Sequence, residues 1–151
     1  MKGFLLDVNV LVALLWSRHE HHAAAQRWFA LAARRGWATC ALTEVAFVRI
    51  VSNPAFSPEA VRPRQALAVL QASLEHSSHR LWPDRWGYVA LVEPFASTLV
   101  GHRQVTDAYL LALALRQDGK LATFDRGIEA LLPKNSRPAN LLELVPLDPP
   151  A

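Results

Sequence analysis

The sequence predicts an α/β protein: a three-layer α/β/α sandwich with a central, mainly parallel sheet, formed as a single domain over residues 1–151. Short apolar runs alternate with longer helical segments along the chain, and this alternation is typical of parallel sheets with helices on both faces. The length suits one domain with a sizeable core, and no internal repeat or low-complexity segment interrupts the pattern.

Five short apolar runs predict the strands. Such runs, bounded by polar or turn-forming residues, are typical of strands that are buried on both faces of a parallel sheet. In chain order they are FLLD at 4–7, WATCA at 37–41, a weaker run HRLWPD at 79–84 that contains a proline, KLATFD at 120–125, and NLLELV at 140–145.

Six longer segments between these runs predict helices. They are VNVLVALLW at 8–16, HEHHAAAQRWFALAARRG at 19–36, TEVAFVRIVSN at 43–53, RQALAVLQASLEH at 64–76, residues 86–100, and VTDAYLLALALRQDG at 105–119. The second is rich in alanine and ends at Gly36, as helices often do. The third should end before Pro54, and Pro94 should bend or restart the fifth. Residues 52–64 carry three prolines and predict a connection.

Composition restricts the class of protein. The chain is 52% hydrophobic and 19% charged, which is typical of a globular protein and not of a disordered one. No apolar run reaches the roughly 20 residues that cross a bilayer, and the N-terminal residues do not resemble a signal peptide. Cys40 is the only cysteine, which excludes an internal disulfide and favours a reducing compartment. We therefore expect a cytoplasmic protein with no membrane association.

Four carboxylates fall where the predicted fold brings the chain to one edge of the sheet. Asp7 and Asp125 each follow a predicted strand, and Glu44 and Asp107 each fall in the first turn of a predicted helix. Ligands of open parallel sheets bind beyond the carboxyl ends of the strands, and the helices that follow those strands begin at the same edge. We therefore expect all four carboxylates to face one cleft.

Each of these positions also has a structural interpretation. Asp7 could cap the next helix, Asp125 could begin a turn, and Thr43 and Thr106 are typical helix N-cap residues. Four neighbouring carboxylates are harder to explain in this way, because two charges 4 Å apart repel by about 4 kcal/mol at an effective dielectric constant near 20. Such a cluster must protonate, disperse or bind a cation, and Mg²⁺ or Mn²⁺ suits its oxygen ligands.

The charge balance indicates an anionic partner. The chain has 16 basic and 13 acidic residues; without the four clustered acids, 16 basic and nine acidic residues leave a net charge of +7. A basic surface around an acidic, metal-binding pocket suits a polyanion whose phosphates reach the cation. Hydrolysis of nucleic acid is therefore the leading function, and a non-catalytic nucleic-acid-binding or scaffold domain is the alternative.

Four segments together resemble the PIN domain and, more narrowly, the VapC-type toxin ribonucleases of bacterial toxin–antitoxin pairs. These segments are LLDVNVLVAL, CALTEVAFVRIVSNP, GHRQVTDAYLLALA and LATFDRG. The resemblance implies a Mg²⁺- or Mn²⁺-dependent endoribonuclease that forms a homodimer and is inhibited by a small antitoxin protein. The acidic quartet of the family corresponds to Asp7, Glu44, Asp107 and Asp125, with none missing.

Roles follow for these residues and for their neighbours. We expect Asp7, Asp107 and Asp125 to be metal ligands, and Glu44 to hold a second ion or to orient and deprotonate the attacking water. The family tends to have small polar residues around the metal, and the corresponding positions here are Asn9, Thr43, Thr106 and Thr123. RNA hydrolysis would leave 5′-phosphate and 3′-hydroxyl ends.

Three further features are less specific. Arg103 and Arg126 lie close in sequence to the acids and could contact RNA phosphates. His19, His21 and His22 in HEHH could suggest a zinc site, but their spacing matches no standard motif and a solvent-exposed segment is the favoured interpretation.

Overall fold

A five-stranded, entirely parallel sheet forms the centre of the computed structural model, which describes residues 1–151. The strands are β1 (Phe4–Leu6), β2 (Trp37–Thr39), β3 (His79–Leu81), β4 (Lys120–Thr123) and β5 (Leu142–Leu144). Their order across the sheet is β3-β2-β1-β4-β5, so β1 is central and β3 and β5 are the edges. This confirms the predicted α/β sandwich, and each predicted run contains an observed strand.

Six α-helices cover the two faces of the sheet. They are α1 (Val8–Leu15), α2 (His22–Ala32), α3 (Ala41–Val51), α4 (Pro63–Leu74), α5 (Tyr88–Val92) and α6 (Val105–Arg116). Short 3₁₀ turns occupy Ala33–Arg35, Glu93–Phe95, His102–Gln104, Arg126–Leu131 and Pro138–Asn140. None of the helices is both long enough and apolar enough to cross a membrane.

Two apolar cores lie on opposite faces of the sheet. One contains residues of α5 and α6 together with Leu5 and Leu121, and the other contains residues of α1 to α4 together with Leu6 and Trp37. Successive strand residues point to opposite faces, so each strand contributes to both cores. This two-sided burial explains why the strands read as continuous apolar runs.

The main departure from the predicted elements is at residues 86–100. In place of one bent helix, α5 ends at Val92 and a 3₁₀ turn containing Pro94 follows. Proline lacks the N–H that a continuing helix needs, which accounts for the interruption. The HEHH segment also differs from the prediction, because α2 begins only at His22 and the preceding residues form turns.

Candidate active site

Asp7 lies at the carboxyl end of the central strand and begins the first helix. Its backbone N–H donates to Ala122 O on β4 (2.9 Å), which continues the β1–β4 pairing beyond the last strand residue. Its Oδ1 accepts from the N–H of Val8 (2.7 Å), so Asp7 is also the N-cap of α1. Its side chain is only 5% exposed, and the position therefore combines a capping role with a buried carboxylate.

Thr123 connects the two central strands at this edge. Its Oγ1 donates to Asp7 Oδ2 (2.7 Å) and accepts from Asn9 Nδ2 (3.2 Å) and from the backbone N–H of Asp125 (3.0 Å). Asn9 Oδ1 in turn accepts from the N–H of Phe124 (3.3 Å). Thr123 thus holds Asp7 and the start of the Asp125 turn in place, and Asn9 supports it through Thr123 and the backbone of Phe124.

Asp125 is exposed and caps the 3₁₀ turn that follows β4. Its Oδ1 accepts from the N–H of Gly127 (2.7 Å), as the turn interpretation of this residue predicted. A side chain added at Gly127 would meet this carboxylate oxygen at 2.9 Å, so a residue without a side chain suits the tight turn. The turn leaves Asp125 Oδ2 without a hydrogen bond to the protein.

The three aspartates act on one another electrostatically. Burial, together with the charges of Asp7 and Asp125, raises the pKa of Asp107 to about 6. Burial also raises the pKa of Asp7; hydrogen bonds from Thr123 and Val8 oppose this shift, and the charge of Asp125 adds to it. None of the three aspartates forms an ion pair with a lysine or arginine. The structure therefore brings three predicted site residues together without a compensating positive charge.

This donor set has the chemistry of a site for a hard divalent cation. Carboxylate oxygens dominate it, and it contains neither thiolate nor imidazole, as suits Mg²⁺ or Mn²⁺. The side chains as they stand do not converge into a closed coordination shell, since no three His, Cys, Asp or Glu residues are grouped closely enough to hold an ion. The aspartates therefore suit a divalent cation by the type of their donor atoms and by their uncompensated negative charge.

Glu44 has hydrogen-bond partners of its own, separate from those of the aspartates. Its Oε1 accepts from Oγ1 of Thr39 at the end of β2 (2.6 Å), and Nε2 of His79 on β3 lies 2.8 Å from the same hydroxyl. The charge of Glu44 raises the pKa of His79, against the larger effect of burial, which lowers it. It is not among the charges that shift the pKa of Asp7 or Asp107. The expectation that Glu44 shares one cleft with the three aspartates stays a prediction.

The sheet explains why Glu44 and Asp7 are bound by different threonines. Thr39 is two residues beyond Trp37, whose side chain lies in the α1–α4 core, whereas Thr123 is two residues beyond Leu121, which lies in the α5–α6 core. Residues two apart in a strand point to the same face, so the two threonines point to opposite faces of the sheet. Each binds the carboxylate on its own side.

The two predicted N-caps at Thr43 and Thr106 are wrong. Helix α3 begins earlier, after Cys40; Thr43 Oγ1 reaches back to that residue, accepting from its N–H (3.1 Å) and donating to its carbonyl (3.0 Å). Helix α6 begins at Val105, directly after a 3₁₀ turn that ends at Gln104. Thr106 therefore lies within the helix and is not its N-cap. Thr106 is exposed and has no side-chain hydrogen bond to an acidic residue.

The remaining candidates lie at the surface. Arg103 and Arg126 are exposed and pair with no acidic residue, so both are free to meet an anion. The HEHH segment forms no metal group, but His21 packs against the ring of Phe124, with ring centroids 5.3 Å apart, beside Thr123 and Asp125. Sequence reasoning missed Thr39 and His79. A signal for Thr39 was present, since β2 and β4 both end in Ala-Thr.

Comparison with known proteins agrees with this architecture. The PIN domain family model matches residues 4–131. Ribonuclease VapC38 of Mycobacterium tuberculosis is 46% identical over 141 residues, covering 93% of this chain and 96% of that protein. Ribonuclease VapC39 of the same species is 42% identical over 93% of this chain and 98% of the relative, and ribonuclease VapC44 is 40% identical over 82% and 87%.

A solved structure shares the fold. It is the crystal structure of VapBC2 from Rickettsia felis bound to a DNA fragment from their promoter, with a TM-score of 0.64, 13% identity, and coverage of 93% of this chain and 97% of that chain. The chain belongs to the PIN domain family, and within it to the VapC group. The resemblance seen in the four sequence segments is therefore confirmed.

Proposed function

We propose that this protein is a divalent-metal-dependent endoribonuclease, Mg²⁺ or Mn²⁺ being its cofactor, and the toxin of a bacterial toxin–antitoxin pair. One structural observation carries the proposal. Burial, together with the charges of neighbouring aspartates, raises the pKa of Asp7 and of Asp107 at the carboxyl edge of the sheet, and no basic side chain pairs with Asp7, Asp107 or Asp125. Relatives that cover almost the whole chain are named ribonucleases, which supports the assignment of substrate.

The chain supplies the negative charge and the rigid frame of the site. Asp7, Asp107 and Asp125 would hold the cation, and Thr123 and Asn9 fix Asp7 through the hydrogen bonds described above. When bound, the cation would neutralise charge on a phosphoryl oxygen and make a water molecule more acidic. We assign Glu44 the role of orienting that water and accepting its proton, so that hydrolysis leaves 5′-phosphate and 3′-hydroxyl ends.

The surface of the protein suits a polyanionic substrate. Away from the acidic residues assigned to the site the chain carries an excess of positive charge, and exposed Arg103 and Arg126 lie in segments next to Asp107 and Asp125. Guanidinium groups bind phosphate oxygens in a bidentate manner and independently of base identity. We therefore propose these two arginines as backbone contacts for RNA, and not as determinants of cleavage sequence.

A cognate antitoxin is the proposed protein partner. The structural relative is a VapBC complex, which supports a two-protein arrangement. An arginine of the antitoxin would pair with the crowded aspartates and compete with the metal. We further propose that the protein is a single-domain, cytoplasmic homodimer. A second copy would suit the apolar face around a cavity of about 480 Å³, lined by Leu42, Val45, Tyr88 and Val105 among others.

The proposal is tested with antitoxin-free protein, total RNA and Mn²⁺. We expect cleavage with 5′-phosphate ends, and we expect Asp7→Asn, Asp107→Asn and Asp125→Asn each to lower the rate by at least about 10²-fold, the usual effect of losing a central electrostatic contact. Each variant should keep its circular dichroism spectrum. Asp148→Asn, which alters an exposed carboxylate near the C-terminus, is the control.

Two results would contradict the proposal. RNA binding without cleavage in Mn²⁺ or Mg²⁺ would favour the non-catalytic nucleic-acid-binding alternative. An Asn variant that cleaves at the parent rate would remove that residue from the set of metal ligands.

A further inference from the structure

A chain of three polar side chains runs across the sheet next to the acidic group but separate from it. Thr39 Oγ1 donates to Glu44 Oε1 (2.6 Å), and His79 Nε2 lies 2.8 Å from the same oxygen. Glu44 belongs to the first turn of α3, Thr39 ends β2, and His79 begins the edge strand β3. These hydrogen bonds therefore link a carboxylate at the carboxyl edge of the sheet to the edge strand of that sheet.

The proton positions in this chain follow from the donors available. A threonine hydroxyl has one proton, and a carboxylate can only accept, so that proton lies between Thr39 and Glu44. We therefore assign the Nε2 proton of His79 to the remaining lone pair of the hydroxyl; the backbone of Leu74 is the other hydrogen-bond partner of this ring. The order is imidazole to hydroxyl to carboxylate, and it requires a proton on Nε2 of His79.

Packing fixes both supporting side chains. Thr39 is fully buried, and the imidazole of His79 packs on the indole of Trp37 with ring centroids 4.6 Å apart. Trp37 is held in turn by Phe29, whose ring lies edge-on at 5.4 Å. His79 cannot turn away from Thr39 without losing its contact with Trp37, and Thr39 is buried and β-branched, so the glutamate meets a preformed donor.

This arrangement restrains a side chain that would otherwise be mobile. Glutamate has three rotatable bonds, and Thr39 provides the only side-chain hydrogen bond to its carboxylate. Fixing a reacting group within a fraction of an ångström of its working position is worth up to about 10²-fold in rate. Thr39 at the end of β2 binds Glu44 just as Thr123 at the end of β4 binds Asp7.

We infer that Thr39 and His79 are positioning residues that hold the Glu44 carboxylate in its working orientation for RNA cleavage. The inference rests on the proposed nuclease function, in which Glu44 orients the attacking water. Thr39 and His79 touch neither substrate nor metal in this account. They act only through Glu44, and this makes the inference testable.

A double-mutant cycle provides the test. Thr39→Val keeps the shape of the side chain but removes the hydroxyl, and we expect it to lower kcat about tenfold with little change in KM. In a Glu44→Ala background the same substitution should change kcat less than twofold, because the group through which it acts is gone. His79→Leu should behave like Thr39→Val, with a smaller loss in the parent background.

Conservative variants separate positioning from folding. Thr39→Ser restores the hydroxyl and should recover most of kcat, and His79→Gln, which places an amide N–H near the position of Nε2, should recover more activity than His79→Leu. If Thr39→Val unfolds the protein, the Thr39→Ser and His79 variants carry the test. Nitrogen NMR of the imidazole should show a proton on Nε2 of His79 in the parent and a changed signal in Glu44→Ala.

Equal losses from Thr39→Val in the parent and Glu44→Ala backgrounds would overturn the inference, as would an unchanged kcat in Thr39→Val. The result remains distinguishable from failure of the proposed function. If Asp7→Asn abolishes cleavage while Thr39→Val does not reduce it, only the positioning role fails. If the parent does not cleave RNA, the proposed function fails. An NMR signal of His79 that is the same in the parent and in Glu44→Ala would separately reject the hydrogen-bonded arrangement of His79, Thr39 and Glu44.

Discussion

Two threonines end neighbouring parts of the same sheet, and each donates a hydrogen bond to a carboxylate, yet the two regions differ in charge. Thr123 binds Asp7 beside two further aspartates, with the neutral amide of Asn9 behind it. Thr39 binds Glu44 with the imidazole of His79 behind it and no other carboxylate hydrogen-bonded to it. Thr123 thus belongs to a region where several carboxylates interact, whereas Thr39 belongs to a region where a single carboxylate is held by neighbouring donors.

The difference indicates which region of the folded protein is electrostatically unfavourable in the absence of metal. Burial raises the pKa of Asp7 and of Asp107, and the charge of Asp125 adds to both shifts, so the metal-free folded state is destabilised when both groups are charged. A bound cation can offset this cost, because it binds the ionised cluster and does so only in the folded state. Glu44 is not among the charges that raise these pKa values, and we expect its substitution to change the response to metal little.

The largest expected effect on stability comes from Thr123→Val. It removes the donor to Asp7 and the acceptor of Asn9 and of the Asp125 N–H, and should lower the free energy of unfolding by about 2–3 kcal/mol. The Thr123 hydrogen bond lowers the pKa of Asp7, so its loss should cost more at pH 7 than at pH 4.

The measurement for this prediction is urea unfolding at both pH values, with Thr39→Val as the matched variant from the other region. Thr39→Val removes an equally buried hydroxyl with fewer hydrogen bonds and should cost about 1–2 kcal/mol. If Thr123→Val were the milder of the two, the view that Thr123 organises the acidic group would be wrong.

A smaller effect, of opposite sign, is expected from Asp107→Asn. The pKa of Asp107 in the folded protein is about 6, above the ordinary value of 3.8, so the folded state binds more protons than the unfolded state between these values. This group therefore makes the protein less stable as the pH rises from about 4 through 6. Because solvent screens the half-buried carboxylate, we expect Asp107→Asn to stabilise the metal-free protein by about 1 kcal/mol at pH 7.

Unfolding at pH 4 and pH 7 in the presence of a chelator measures this gain, which should be small at pH 4. Asp148→Asn controls for the removal of one negative charge from a protein whose net charge is already +3. A gain of equal size at both pH values would show that crowding of Asp107 by Asp7 and Asp125 is not its cause.

The sequence alone predicted the fold and the acidic edge because both follow from chain order. Apolar runs that alternate with helices specify a parallel sheet, and residues that directly follow its strands must lie at the carboxyl edge. This is sufficient for Asp7 and Asp125, which are held by backbone geometry, and for Asp107 at the start of α6. The roles assigned to these residues and to Glu44 stay predictions.

The hydrogen-bond partners of Glu44 and the helix N-caps were harder to predict from the sequence. The Glu44 contact depends on which face of β2 Thr39 occupies and on His79 from an edge strand 40 residues away in sequence. The two N-caps failed because helices α3 and α6 begin two and one residues before the predicted threonines. A 3₁₀ turn that continues into a helix needs no capping side chain, and the local sequence did not reveal that turn.

The most direct test of the central claim is the effect of Mn²⁺ on melting temperature at pH 7 in three proteins: the parent, Asp107→Asn and Glu44→Gln. If Asp7, Asp107 and Asp125 are the metal ligands and Glu44 acts on the attacking water without binding the metal, saturating Mn²⁺ should raise the melting temperature of the parent by about 5 °C or more. Asp107→Asn should lose most of this rise, and Glu44→Gln should retain most of it. A parent that does not respond to Mn²⁺, or a Glu44→Gln variant that loses as much of the rise as Asp107→Asn, would contradict the account.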